Sequence, residues 1–170
     1  MLFRSVQDRL WFAGQAKRHM DTVFRVAYNY LRNCADADDV TQTVLLKLFR
    51  SDVEFNDEAH VKRWLIRATI NECTSLYRAL RRRPENIDDY LETLAAPECD
   101  CTHDIGLLRK VMDLPSRYSM PLYLYYYEGY DVHEVAQLLG VPEATVRTRL
   151  ARARRRLKDA LTRGKPNDER

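Results

Sequence analysis

Apolar residues recur every three or four positions along most of the chain, which is the spacing of helices with one buried face. No convincing alternation of apolar and polar residues marks a strand, and 170 residues include only 5 glycines and 6 prolines. The pattern therefore predicts an all-α protein. The expected helices lie in Val6 to about Asn33 (one or two helices), from about Asp36 to Phe49 after a short break at 34–36, from Glu58 to Arg82, around 105–112, from Ser116 to about Glu128, and as a pair between Asp131 and Leu161.

The last pair reads as two helices joined by a tight turn. Asp131 is a favoured N-cap residue and predicts the start of the first helix. Gly140 predicts its end, because a left-handed residue after a helix costs glycine least. Pro142 suits the start of the next helix, since it has no N–H to lose there. This arrangement predicts a helix-turn-helix.

The second helix of this pair has an apolar stripe and a basic outer side. At about 100° per residue, the stripe predicted to face the core consists of Val146, Leu150, Ala153, Leu157 and Leu161. The opposite side carries Thr148, Ala151, Arg152 and Arg155, with Arg147 and Arg149 flanking the stripe. A merely solvated face would mix both charges, yet no acid occurs on the outward side between Arg147 and Lys158. Because arginine forks contact phosphates and guanine edges, the pattern favours a DNA-reading helix.

Charge is distributed unevenly along the chain, although the net charge is only +3. Bases dominate from Lys62 to Arg83 and again from Arg147, while the charged residues between Glu85 and Asp104 are all acids. Terminal arginines such as Arg81 and Arg82 also suit a helix C-terminus, but their number and the second basic block favour nucleic acid. We expect a first domain at 1–84, an acidic linker at 85–104, a second domain at 105–163 and a polar tail at 164–170.

Other features narrow the class of protein. No apolar run approaches the roughly 20 residues that span a bilayer, and the N-terminus lacks the apolar block of a signal peptide, so we expect a cytoplasmic chain without membrane insertion. The four cysteines are then expected to be free thiols. Cys99, Cys101 and His103 could bind a metal or sense redox state, but free thiols in a linker are favoured, and no metal or cofactor is expected. The tyrosines between 118 and 127 could stack on bases, yet their spacing favours a core and its rim.

Three stretches together resemble the sigma-70 family of bacterial RNA polymerase sigma factors, in particular its two-domain extracytoplasmic-function (ECF) group. LPSRYSMPLYLYYYEGYDVHEVAQLLGVPEATVRTRLARARRRL is similar to the family's promoter-reading domain, sigma region 4. DADDVTQTVLLKLF resembles the segment that docks on core polymerase, and FNDEAHVKRWLIRATINECTSLYRALRRR resembles the segment that reads and opens DNA near the start site. The resemblance runs from about Val23 to Leu161 and implies two helical domains, sigma region 2-like and region 4-like.

The resemblance also implies roles for particular residues. The recognition helix would contact the upstream (−35) promoter element, and we expect its DNA-binding set to be Arg147, Thr148, Arg149, Ala151, Arg152 and Arg155. The set expected at the downstream (−10) element is Arg67, Asn71, Arg78, Arg81 and Arg82, with Asn71 beside the pocket for a flipped base. Core polymerase would dock on Asp38, Asp39 and Gln42. The family further implies an inhibitory anti-sigma partner. Thr43 departs from the family, which often has an acid there, and Pro142 departs from a common serine cap.

Two other functions compete with a sigma factor. A stand-alone helix-turn-helix regulator would explain the second domain, but it leaves the surfaces of the first domain without a use. A metal-dependent nuclease could use Asp36, Asp38 and Asp39, yet these acids share one helix start and lack a partner histidine or distant carboxylate. The sequence therefore favours an initiation subunit that binds promoter DNA together with core polymerase.

Overall fold

The computed structural model describes residues 6–81, 110–111 and 113–163, with no side chains at 80, 81 and 163. These residues form six helices and contain no strand, which confirms the all-α prediction. The helices are α1 (Val6–Leu31), α2 (Cys34–Arg50), α3 (Glu58–Arg81), α4 (Ser116–Tyr126), α5 (Val132–Leu139) and α6 (Glu143–Arg163). The chain divides into two compact units, Met1–Glu98 and Cys99–Arg170. The predicted linker at 85–104 and tail at 164–170 lie outside the described residues, and their boundaries stay predictions.

The first unit packs α1, α2 and α3 around one apolar core. Its centre includes Val23, Ala27, Val44, Leu48, Val61 and Leu65, all of them buried as their helical spacing predicts. Ile66 and Ile70 of α3 are also buried, which widens the inward face of this helix beyond Val61 and Leu65. The residues between Val6 and Leu31 form one helix, and Arg32 then turns the chain with a left-handed φ of 59°.

The start of α2 differs from the prediction. The helix begins at Cys34, and the expected break at 34–36 is wrong because Asn33 caps the helix: its side-chain oxygen accepts a hydrogen bond from the N–H of Asp36 at 3.1 Å. The cysteine prediction also fails at this point. Cys34 is disulfide-bonded, whereas Cys73 is a buried free thiol.

Asp57 caps α3, since its Oδ1 accepts a hydrogen bond from the N–H of His60 at 2.7 Å. The helix then runs for 24 residues to Arg81. A single long helix therefore carries the basic block that begins at Lys62 as far as Arg81. Arg82 lies outside the described residues.

In the second unit, α4 and α5 both pack against α6. Tyr118 and Tyr123 are buried and Tyr125, Tyr126 and Tyr127 are exposed, which confirms the interpretation of this stretch as core and rim. Pro121 lies inside α4, in its second turn. The helix predicted around 105–112 falls largely outside the described residues. None of the described helices is long and apolar enough to cross a membrane.

Candidate nucleic-acid interface

The turn between α5 and α6 is built by local hydrogen bonds. Asp131 and Glu134 form a capping box: Asp131 Oδ1 accepts from the N–H of Glu134 at 2.8 Å, and Glu134 Oε2 accepts from the N–H of Asp131 at 3.1 Å. Gly140 ends α5 with a φ of 64°, a conformation that glycine adopts without steric cost. The carbonyl of Pro142 then accepts from the N–H groups of Thr145 and Val146, and α6 begins. The predicted helix-turn-helix is confirmed.

The apolar stripe of α6 anchors the helix on the unit's core. Val146 and Ala153 are fully buried, Leu150 is nearly so, and Leu157 is half-buried. Leu161 was predicted to join them, but 38% of it is exposed. The described parts of α4 and α5 leave this last turn incompletely covered. The buried stripe thus fixes which side of α6 faces outward from Val146 to Leu157.

The predicted DNA-reading residues lie on that outward side. Arg147, Thr148, Ala151, Arg152 and Arg155 are exposed, whereas Arg149 is half-buried at the edge of the stripe. The hydroxyl of Thr148 donates to the Ala144 carbonyl at 2.9 Å, which fixes its rotamer. Small side chains at Thr148 and Ala151 leave room for a groove wall or a sugar–phosphate backbone to approach the helix.

An exposed hydrogen-bond network links α5 to the start of α6, and the sequence reasoning missed it. Glu143 accepts from Arg147 at 2.8 Å through Oε2, while its Oε1 lies 2.9 Å from His133 Nδ1. His133 Nε2 in turn lies 2.9 Å from Gln137 Nε2. The hydrogen bond with His133 and the charge of Arg147 lower the pKa of Glu143. The spacing of four residues between Glu143 and Arg147 could have predicted their contact from the sequence. Glu143 is therefore an acid at the border of the otherwise basic surface.

A second missed feature lies where α4 meets α6. The ring of Tyr118 is contacted by two guanidinium groups, with the Cζ of Arg117 4.8 Å and the Cζ of Arg156 4.9 Å from the ring centroid. A hydrogen bond from Arg152 and the nearby arginine charges lower the pKa of Tyr118. Two arginines of α6 are therefore held by one tyrosine of α4. We refer to Arg117, Arg152 and Arg156 around Tyr118 as the arginine cluster.

The outer side of α3 carries the residues predicted at the downstream element. Arg67, Asn71 and Arg78 are all exposed, and at about 100° per residue they lie within about 40° of one another around the helix. Arg81 belongs to the same helix, without a described side chain, and Arg82 is outside the described residues. The structure thus brings three of the five predicted residues onto one exposed stripe.

The predicted docking residues share one face of α2. Asp38, Asp39 and Gln42 are exposed, and Leu46, one turn after Gln42, is 52% exposed on the same side. The sequence reasoning did not single out Leu46, although an apolar residue outside the Val40–Val44–Leu48 stripe was the available signal. The face therefore combines two acids, an amide and an apolar side chain. Thr43 is half-buried at its edge.

The described residues contain no group of three or more His, Cys, Asp and Glu side chains arranged to hold a metal ion. Asp36 is half-buried while Asp38 and Asp39 are exposed, and these three acids of the nuclease hypothesis form no such group. Cys99, Cys101 and His103 lie outside the described residues.

One unit contains a helix-turn-helix whose second helix has a basic outer side, and the other contains a long helix with a basic stripe that packs against a helix with an exposed acidic face. Such features are typical of a two-module DNA-binding transcription factor. Comparison with known families specifies the class. The model for sigma-70 region 2 matches residues 16–83, and the model for sigma-70, region 4 matches residues 106–157. The two matches fall on the two units in the expected order.

Individual proteins agree with the family models. The ECF RNA polymerase sigma factor SigM of Mycobacterium tuberculosis is 31% identical over 150 residues, which cover 88% of this chain and 76% of SigM. SigV of Bacillus subtilis is 26% identical over 85% of this chain and 87% of its own length. The chain therefore belongs to the ECF sigma factors of the sigma-70 family. It is an RNA polymerase sigma factor, which binds core polymerase and directs promoter recognition and transcription initiation.

Solved structures show the same fold. The sigma factor RpoE of Bartonella quintana, crystallised with the anti-sigma factor NepR, has a TM-score of 0.67 and 19% identity over 91% of this chain and 98% of RpoE. CnrH, in complex with the cytosolic domain of CnrY, has a TM-score of 0.59 and 22% identity over 91% of this chain and 89% of CnrH.

Proposed function

We propose that α6 reads the upstream promoter element through Arg147, Thr148, Arg149, Ala151, Arg152 and Arg155. The observation that carries this assignment is the exposed side of α6, which between Arg147 and Lys158 presents arginines around two small side chains and no acid. A helix of this kind fits a major groove, where arginine forks reach guanine edges and the flanking basic side chains pair with phosphates.

The stripe on α3 is proposed to line the path of the downstream element. Asn71 offers an amide that can both donate and accept hydrogen bonds at a base edge, and Arg67 and Arg78 bracket it along the helix with charges for phosphates. We assign Arg81 and Arg82 to the same path on the strength of the family resemblance.

Core polymerase is proposed to bind the face of α2 formed by Asp38, Asp39 and Gln42. Its two exposed carboxylates suit a basic partner surface. Leu46 adds apolar area beside them, and interfaces combine such apolar contacts with a charged rim. We therefore include Leu46 in the docking face.

Several further properties are inferred from the family. Both solved neighbours are in complexes, RpoE with the anti-sigma factor NepR and CnrH with the cytosolic domain of CnrY, which supports an anti-sigma partner for this chain. We infer a cytoplasmic location, where core polymerase and DNA are available. The sigma role also needs neither a catalytic activity nor a cofactor of the chain itself.

Two variants separate the proposed surfaces. Arg152→Ala should weaken holoenzyme binding at the upstream element by about tenfold and leave affinity for core polymerase unchanged. Asp39→Lys should weaken core binding by at least tenfold, because it places a like charge against a basic surface. The measurements are fluorescence anisotropy on labelled promoter DNA and on labelled core polymerase.

Asp21→Lys, the same charge change at an exposed position of α1, is the matched control for Asp39→Lys and should retain core affinity. If Asp39→Lys bound core polymerase as well as Asp21→Lys does, the docking face would be wrongly assigned. Tight promoter binding by the wild-type chain without any affinity for core polymerase would instead support a stand-alone regulator.

A further inference from the structure

Three arginines converge on one buried tyrosine at the edge of the reading helix. Tyr118 is only 5% exposed, and the guanidinium carbons of Arg117 and Arg156 lie 4.8 Å and 4.9 Å from its ring centroid. Arg152 hydrogen-bonds to the same side chain. Arg117 comes from α4 and the other two come from α6, so the cluster is made by the packing of the two helices.

In the part of the chain that the structure describes, no acid balances the charges of this cluster. Among the described residues, none of the three guanidinium groups forms an ion pair with a carboxylate. Guanidinium groups gathered around one ring repel one another, and the attraction of each to the ring offsets only part of that cost. The arrangement therefore favours a bound anion, which would relieve the repulsion.

The position of the cluster identifies the anion. At about 100° per residue, Arg152 and Arg156 lie about 40° and 80° around α6 from Thr148, which places Arg156 at the edge of the outward side and Arg152 between that edge and the middle. Residues at the edge of a reading helix face the sugar–phosphate backbone that borders the groove. Phosphodiester oxygens accept the paired N–H donors that guanidinium groups present.

We propose that Arg117, Arg152 and Arg156 form a clamp for a backbone phosphate of the upstream promoter element, and that Tyr118 is the positioning residue of this clamp. The proposal rests on the assignment of α6 as the DNA-reading helix. It adds Arg117 and Arg156 to the DNA-contacting residues and gives Arg152 a phosphate contact.

Tyr118 acts in two separable ways. Its ring provides a flat surface on which Arg117 and Arg156 lie, and its hydroxyl accepts a hydrogen bond from Arg152. Long side chains lose rotamer freedom when they bind, and side chains already held by the ring and hydroxyl lose less of it. Tyr118→Phe keeps the ring and removes only the contact with Arg152.

The first test measures how binding depends on salt. Holoenzyme assembled from core polymerase and the full chain is titrated onto a promoter duplex at several salt concentrations. Arg117→Ala and Arg156→Ala should each reduce the slope of log K against log salt by up to about 0.9, the value for one neutralised phosphate. Arg154→Ala is the matched control, because Arg154 lies on the other flank of α6 with its Nε on the Leu150 carbonyl, and it should leave the slope unchanged.

The second test isolates Tyr118. Tyr118→Phe should weaken binding about threefold to tenfold in the wild-type background and cause no further loss when combined with Arg152→Ala. A merely structural role would give the same loss in both backgrounds and would overturn the positioning role. Thermal unfolding of Tyr118→Phe checks that the second unit remains folded, and Arg117→Ala tests the clamp without touching Tyr118.

The outcomes separate the two levels of the account. If wild-type holoenzyme bound the promoter and Arg152→Ala reduced that binding, while Arg117→Ala and Arg156→Ala left the salt slope unchanged, the clamp would be refuted and the reading helix retained. If Arg152→Ala had no effect on binding, the assignment of α6 itself would fail and the clamp with it.

Discussion

The capping box at the start of α5 should set the stability of the helix-turn-helix. This helix has only eight residues, and isolated helices of that length do not persist in water. It holds together through Val135, Ala136 and Leu138, which are buried, and through the two reciprocal hydrogen bonds of Asp131 and Glu134. Asp131→Ala removes the acceptor for the Glu134 N–H and leaves the second hydrogen bond in place.

The expected cost follows from the one cap that is lost. Replacing an N-cap aspartate by alanine costs about 1 kcal/mol, in a range of roughly 0.5 to 2 kcal/mol. A change of about 1 kcal/mol corresponds to roughly fivefold in an equilibrium constant. The amides of Val135, Ala136 and Leu138 should therefore exchange about fivefold faster with solvent deuterium in the native full-length chain.

Hydrogen exchange measured by NMR resolves this effect residue by residue. Asp131→Asn retains a side-chain acceptor and should exchange nearly as slowly as the wild type, since asparagine and aspartate cap equally well. Amides of α3 in the other unit serve as an internal reference. Equal acceleration in Asp131→Asn and Asp131→Ala, or none in either, would show that the capping hydrogen bond does not stabilise α5.

Two further predictions concern the first unit. Burial and, secondarily, the neighbouring charge of Glu72 raise the pKa of Cys73 from 9.0 to about 12. Because the thiol ionises more easily in the unfolded chain, the free energy of unfolding should fall as the pH rises from about 9 toward 12. Cys73→Ala should lack this fall, so the stabilisation that Cys73 gives relative to alanine is complete below about pH 9. Urea unfolding of both proteins across this range measures it, and a pH-independent difference would contradict it. Arg32 has a left-handed φ of 59°, which costs a residue with a Cβ more than glycine. The free energy of unfolding of Arg32→Gly should therefore exceed that of Arg32→Ala by about 1 kcal/mol, measured by thermal unfolding of both variants. Both variants lose the hydrogen bond from Arg32 to Asn29, so equal stability of the two would show that the backbone conformation is not strained.

Much of the second unit could be predicted because its signals are local. Asp131, Gly140 and the spacing of Val146, Leu150 and Ala153 each act within one or two turns, and the structure has them as expected. The prediction that Leu161 is buried was wrong, because its spacing fits the stripe but its exposure depends on what the other helices cover. The start of α2 failed because Asn33 was not considered as a cap.

The arginine cluster could not be predicted for a different reason. Helical periodicity places Arg152 on the outer side of α6 but says nothing about the neighbouring α4, which is more than 25 residues earlier in the chain. Tyr118 and Arg156 meet only when the two helices pack. Leu46 and Glu143 could have been predicted from the sequence. Leu46 is an apolar residue outside the buried stripe of its helix, and Glu143 lies four residues before Arg147, the spacing of an ion pair within a helix.

The most direct measurement of the central claim is run-off transcription with core polymerase and the full chain on promoters selected from a random library. The account predicts initiation that requires this chain, from selected sequences that share an upstream and a downstream element. Absence of initiation, together with tight sequence-specific DNA binding by the chain without core polymerase, would contradict it.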